Sequence, residues 1–122
     1  MIIVDEKLLD RDFRGRHVCL LCGERRECEP EHWVCRGHGG GRRLDISINL
    51  LAVDRSCHTK IHAGDISKLE VQRAIAKREN INVVTVYCAV WHFLRLSKGT
   101  TRTELKDLEL DQYVSPTAKI EP

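Results

Sequence analysis

Between Glu31 and His62 the chain reads EHWVCRGHGGGRRLDISINLLAVDRSCHTKIH, and the punctuation of this stretch sets how it folds. Glu31 to Val34 is a short strand. The run RGHGGGRR, residues 36–43, is a loop, because three successive glycines hold regular structure only at a large entropic cost. Ile46, Ile48, Leu50, Leu51 and Val53 are apolar and β-prone, so the chain re-enters the core there. Ser56 stands where a helix cap belongs, ahead of CHTKIHA and the stop at Gly64. On that helix His58 and His62 are four apart, on one face and one turn from each other. Two imidazoles so placed reach a single metal ion.

Upstream, CLLCG (Cys19 to Gly23) spaces two cysteines by two residues and closes with glycine, a tight turn whose amides face the sulfurs. It is half of a tetrahedral zinc site. A redox pair would want a helix start and a βαβ frame, and neither is evident. Ile2, Ile3, Val4, Leu8, Leu9 and Phe13 supply a strand or short helix that covers the core. Downstream, Asp65 caps a helix over ISKLEVQRAIAKREN. Asn82 and Gly99 bracket a second, with Val83, Val86, Val90 and Phe93 at helical spacing. Thr101 and Glu104 fit a capping box for a short third helix, docked by Leu105 and Leu108. Cys88 reads as a plain core residue, His92 as a surface or packing residue, and the last ten residues as an extended tail.

At 122 residues this is one domain, with a core over residues 17–64, a helical extension over 65–110 and a tail over 111–122. Aromatics are only 5 % of residues, so a structural metal would help so small a core. No apolar run reaches membrane-spanning length. MIIVDEKLLD carries no secretory signal. The expectation is a cytoplasmic, reducing setting in which the six cysteines serve metal rather than disulfides. The net charge of +2 is uneven: residues 11–43 hold eight arginines against five acids, whereas 100–122 hold three basic and five acidic residues. A polyanion such as nucleic acid would meet the basic segment. A solvated arginine-rich surface is the plainer reading of the same charge.

Taken in order, Glu31-His32, the glycine loop, Asn49, and Cys57-His58 followed by His62 resemble the HNH endonucleases, with the NLL…CH…H ending similar to small stand-alone members of bacteria and phages. The resemblance covers residues 19–64 and says little about 65–122. It implies an α+β fold: a zinc-stabilised ββα-metal core followed by two or three C-terminal helices. It implies metal-dependent hydrolysis of DNA phosphodiesters, by a cut or a nick. His32 matches the general base, suited by a near-neutral imidazole. Asn49 matches the residue that holds the base's strand through amide hydrogen bonds. His58 and His62 match ligands of one divalent ion (Mg, Mn, Ni or Zn), and Glu31 stands where other members carry a His or Asp ligand. Arg36, Arg42, Arg43 and Lys60 would contact DNA phosphates.

The resemblance also implies a structural zinc on Cys19, Cys22 and Cys57. Related proteins place a second CxxC before the first helix histidine, but here that register gives Asp54-Arg55-Ser56-Cys57. Asp54 as fourth ligand, Cys35 or Cys28 in its place, or an empty site all remain open. A DNA-reading zinc finger fails on spacing, because 35 residues separate Cys22 from His58 where a finger uses about twelve. The alternative function is a non-catalytic treble-clef zinc module that binds nucleic acid or protein. Whether the chain pairs with itself is not written in the sequence.

Overall fold

The computed structural model describes residues 1–37 and 41–122. Residues 38–40, the middle of the expected glycine loop, lie outside the described residues. Among the described residues the architecture is α+β, with five helices and two antiparallel two-stranded sheets. The central sheet joins β2 (Cys28–His32) to β3 (Leu50–Asp54), in a register running from Cys28↔Asp54 to His32↔Leu50. The first strand of the site therefore starts and ends earlier than Glu31 to Val34. Trp33 leaves the sheet, and its indole N–H donates to the carbonyl of Ile48 at 2.8 Å.

The strand β3 runs directly into α2 (Arg55–Ala63). Asp54, not Ser56, caps this helix: its backbone is extended (φ −72, ψ 167) and its Oδ1 accepts the Cys57 amide at 2.7 Å. Ser56 already lies inside the first turn, where a cap cannot act. Gly64 ends the helix in the left-handed region, φ +82, as a C′ glycine does.

Behind β3 pack α3 (Lys68–Glu79) and α4 (Val83–Arg95). Ser67 rather than Asp65 caps α3, in a reciprocal box with Glu70. Its buried face is Val71, Gln72, Ile75 and Ala76, while Leu69 is exposed. Gln72 and Ala76 complete the stripe that Val71 and Ile75 begin. Asn82 caps α4 as expected, but the helix stops at Arg95, before Gly99, because Leu96 turns extended. α4 buries Val86, Ala89, Val90 and Phe93 against Leu51, Val53 and Ile75 in one continuous core. Cys88 is exposed, contrary to its reading as core. Thr101 caps α5 (Arg102–Asp107), which buries Leu105 and leaves Leu108 exposed.

At the chain's start, β1 (Ile3–Val4) leads into α1 (Glu6–Leu8) and a π-helical turn, Leu9–Phe13. Leu8, Leu9 and Phe13 pack on Leu50 as a satellite cluster. The expected tail over 111–122 is instead folded: Val114 and Ala118 are buried, and β4 (Lys119–Ile120) pairs antiparallel with β1. The Thr117 hydroxyl donates to Asp5 at 2.6 Å and the Arg102 guanidinium to the Ala118 carbonyl at 2.6 Å. A two-residue strand has no period for the sequence to display.

Truncation after Val114 should therefore cost about 2–4 kcal/mol, from roughly 1 kcal/mol per lost hydrogen bond and a buried Asp5 left short of a donor. Denaturant midpoints of the full and truncated chains measure it. Equal midpoints would mean the segment contributes nothing to the fold.

Candidate metal centre

The helix α2 presents ligands on two faces. In its first turn Cys57 meets Cys19, Cys22 and Asp54, and the four offer ligand atoms all within 4.8 Å of one another. The CLLCG turn is closed by the Gly23 amide on the Cys19 carbonyl at 2.9 Å. Gly23 sits at φ +72, a conformation other residues avoid. The Leu20 amide ties the turn to β3 through the Ala52 carbonyl at 3.0 Å. Of the alternatives for the fourth position, the fold brings in Asp54. Cys35 is exposed, and the buried Cys28 turns its thiol to the Arg26 carbonyl at 3.3 Å.

Asp54 serves two groups: Oδ1 caps the helix and Oδ2 receives the Cys22 thiol at 3.1 Å. The Cys57 amide and the Cys22 thiol hold its carboxyl below the usual range. Burial, and then the neighbouring thiols of Cys19 and Cys22, push the Cys57 thiol well up. Burial alone would raise Cys19, but the surrounding amides outweigh it and draw it down. A dication held by these four groups would take the place of the thiol proton that Cys22 donates to Asp54. Three sulfurs and one carboxylate oxygen are a donor set that a tetrahedral ion accepts.

On the other face, Glu31 collects both histidines. Its Oε2 lies 2.5 Å from His58 Nδ1 and its Oε1 2.9 Å from His62 Nε2. The two imidazole centroids are 4.4 Å apart, and the three ligand atoms again fall within 4.8 Å of one another. Glu31 is only 5 % exposed, and a buried carboxylate needs a cation or donors. Nearby, Glu29 Oε1 is buried without a hydrogen-bond partner, 3.7 Å from His58 Nδ1. One carboxylate and two imidazole nitrogens could hold a metal ion, and the extra acid adds to the pull on a cation.

Alternation along β2 sends His32 to the side opposite Glu31. There its Nε2 lies 2.7 Å from Asp45 Oδ1. Asp45 is fully buried and also accepts the Asp5 amide at 2.9 Å and the Arg43 Nε–H at 2.9 Å. Burial alone would raise the Asp45 carboxyl, but the hydrogen bonds from His32 and Arg43 and the Asp5 amide hold it well below the usual carboxylate range. An ionised Asp45 only accepts, so this contact is a donation from His32 Nε2–H, and among the described residues Nδ1 makes no hydrogen bond.

Asn49, also buried, holds the segment after His32. Its carbonyl accepts the Val34 amide at 2.9 Å, and its amide donates to the carbonyls of Leu44 at 3.0 Å and Val34 at 3.3 Å. Asp45 was not singled out from the sequence. The available signal was an acid inside the apolar run Leu44 to Leu51.

The basic residues separate. Arg36 and Arg42 are exposed at the two ends of the glycine loop, joined by the Arg42 amide on the Arg36 carbonyl at 2.9 Å. Arg43 is mostly buried, with its guanidinium 2.7 Å from both Glu6 and Asp45. It is committed within the fold rather than open to a phosphate. Lys60 lines a groove with Cys22 and Cys57, away from the histidine face. In comparisons with known proteins, the chain matches no family model, no curated protein and no solved structure.

Asp45→Asn should destabilise the fold by on the order of 3 kcal/mol at neutral pH, the cost of breaking a buried charge pair. The depressed folded pKa means the Asp45 contribution is complete above about pH 4 and is lost as pH falls below it. Stability measured from pH 6 down to 2 should thus fall less steeply in the variant. Identical acid slopes would show that Asp45 is not held ionised by the fold.

Proposed function

We propose that the chain is a metal-dependent HNH-type endonuclease that cleaves or nicks DNA, with β2, β3 and α2 as its ββα-metal site. One observation carries this reading. Glu31 gathers His58 and His62 into a ligand set, while His32, next to it in the chain, is held at Nε2 by Asp45.

In this reading His32 Nδ1 takes a proton from the water that attacks the scissile phosphate. Asp45 keeps the proton on Nε2 and stabilises the imidazolium formed, as a buried carboxylate does for a base histidine. Asn49 fixes the backbone beyond His32 and so the placing of its ring. Glu31, His58 and His62 would hold the ion. A divalent ion (Mg, Mn, Ni or Zn) held there would supply positive charge to offset the charge that develops on the phosphate. Arg36 and Arg42 meet neighbouring phosphates, a contact that positions DNA without reading sequence. Cys19, Cys22, Asp54 and Cys57 would hold a structural zinc, which would fasten the CLLCG turn to α2.

A second reading is a non-catalytic treble-clef zinc module that binds nucleic acid or protein. The 9 % exposure of the His32 side chain favours it, since a general base must reach water.

Conversion of supercoiled to nicked plasmid, with and without divalent ion, separates the two. The wild type should nick only with the ion. His32→Ala should keep its fold and DNA binding and lose roughly two to four orders of magnitude in rate, the worth of a positioned base. His58→Ala should lose cleavage through metal affinity, with partial recovery in excess ion. A wild type that cuts under no divalent ion, or a His32→Ala variant as fast as wild type, leaves the binding module standing.

Metal analysis tests the sulfur site separately. About one zinc per chain should survive gentle purification, and Cys22→Ser should lose it together with much of the thermal stability. A zinc-free chain whose melting is indifferent to chelator would remove the structural zinc.

A further inference from the structure

The buried face of α4 leaves an outer face that is not polar. Val84 is 61 % exposed, Tyr87 47 % and Trp91 43 %, and Leu108, just after α5, is 41 % exposed. Val84, Cys88, His92 and Leu108 line one groove. Tyr87, Cys88, Trp91, His92 and Arg95 line the next. The two grooves share Cys88 and His92, so the surface is continuous. Positions 84, 87, 88, 91 and 95 repeat at the three-and-four spacing of a helix-pairing seam. Tyr87 and Trp91 meet edge to face at 6.1 Å. An apolar row of this kind on a small domain marks a contact surface. Neither candidate metal cluster uses it.

Charge decides what covers it. Arg95 closes the seam at the C-terminal end of α4. Glu109 lines the groove that starts at Val84, the one of the two that Arg95 does not line. Neither enters an ion pair among the described residues. If two copies of the seam cross antiparallel about a two-fold axis, each end meets the opposite end. Arg95 then faces the partner's Glu109, twice per pair, and the helix dipoles oppose favourably. A parallel pair would set Arg95 against the partner's Arg95.

We propose that α4 is the docking face for a second copy of this chain, in an antiparallel two-fold pair where Trp91 packs on the partner's Val84 and Tyr87 and Arg95 meets the partner's Glu109. The pair stands whether or not the chain is a nuclease. A helix of 13 residues is about 20 Å long. The contact therefore lies at the small end of stable interfaces, where weak, concentration-dependent pairing is expected.

Sedimentation equilibrium of the full chain over about 1–200 µM reads such pairing. The wild type should pass from monomer to dimer. Trp91→Asp should stay monomeric throughout with unchanged helical circular dichroism, since the Trp91 side chain is not part of the core. Arg95→Glu should weaken the dimer about ten-fold, and Arg95→Glu with Glu109→Arg should regain most of the loss. A wild type monomeric at every concentration overturns the proposal. So does a Trp91→Asp chain that dimerises like wild type, or a double variant no tighter than Arg95→Glu alone.

Discussion

The carboxylate of Asp54 closes two structures at once: Oδ1 takes the Cys57 amide at the start of α2, and Oδ2 takes the Cys22 thiol. Because β3 runs into α2 without a loop, the cap fixes the helix relative to the sheet. Cys57 then faces the CLLCG turn, and His58 and His62 face Glu31 across β2. A helix begun later would turn these side chains to other directions, by about 100° per residue. Both ligand clusters thus depend on one hydrogen-bonded junction, and the side chain that makes it also belongs to the sulfur cluster.

A second junction lies at the other side of the sheet, where Asp45 is buried among donors from three segments. The Asp5 amide, the Arg43 guanidinium and the His32 ring converge on it. Burying a carboxylate is costly unless it is paired and hydrogen-bonded, so these segments are held together by a shared requirement. Arg43 extends the network to Glu6, and Asp5 extends it to Thr117 near the end of the chain. The orientation of His32 is in this way coupled to the pairing of β1 with β4, far from it in sequence.

The helices beyond residue 65 serve the site indirectly. α3 and α4 cover β3 and bury the apolar residues that a two-stranded sheet would leave wet. The Arg78 guanidinium, from the last turn of α3, donates to the carbonyl of Ser47, in the turn before β3, and to that of Leu50, at the start of β3. The outer face of α4 is what remains of a strongly apolar helix once one side has been used.

The sequence by itself determined the local features. The CLLCG turn, the four-residue spacing of His58 and His62, the stop at Gly64 and the Asn82 and Thr101 caps each depend on residues within one or two turns of one another, where helix geometry and glycine stereochemistry dictate the outcome. It also singled out Glu31 and Asn49, which the fold sets in β2 and in the turn that leads into β3. The tertiary structure decided everything that compares distant segments. It selected Asp54 over Cys28 and Cys35, gave His32 its partner Asp45, committed Arg43 to the interior and folded the last residues onto β1. These outcomes follow from which buried polar groups find donors and acceptors, and that depends on how strands and helices meet in space rather than on spacing along the chain.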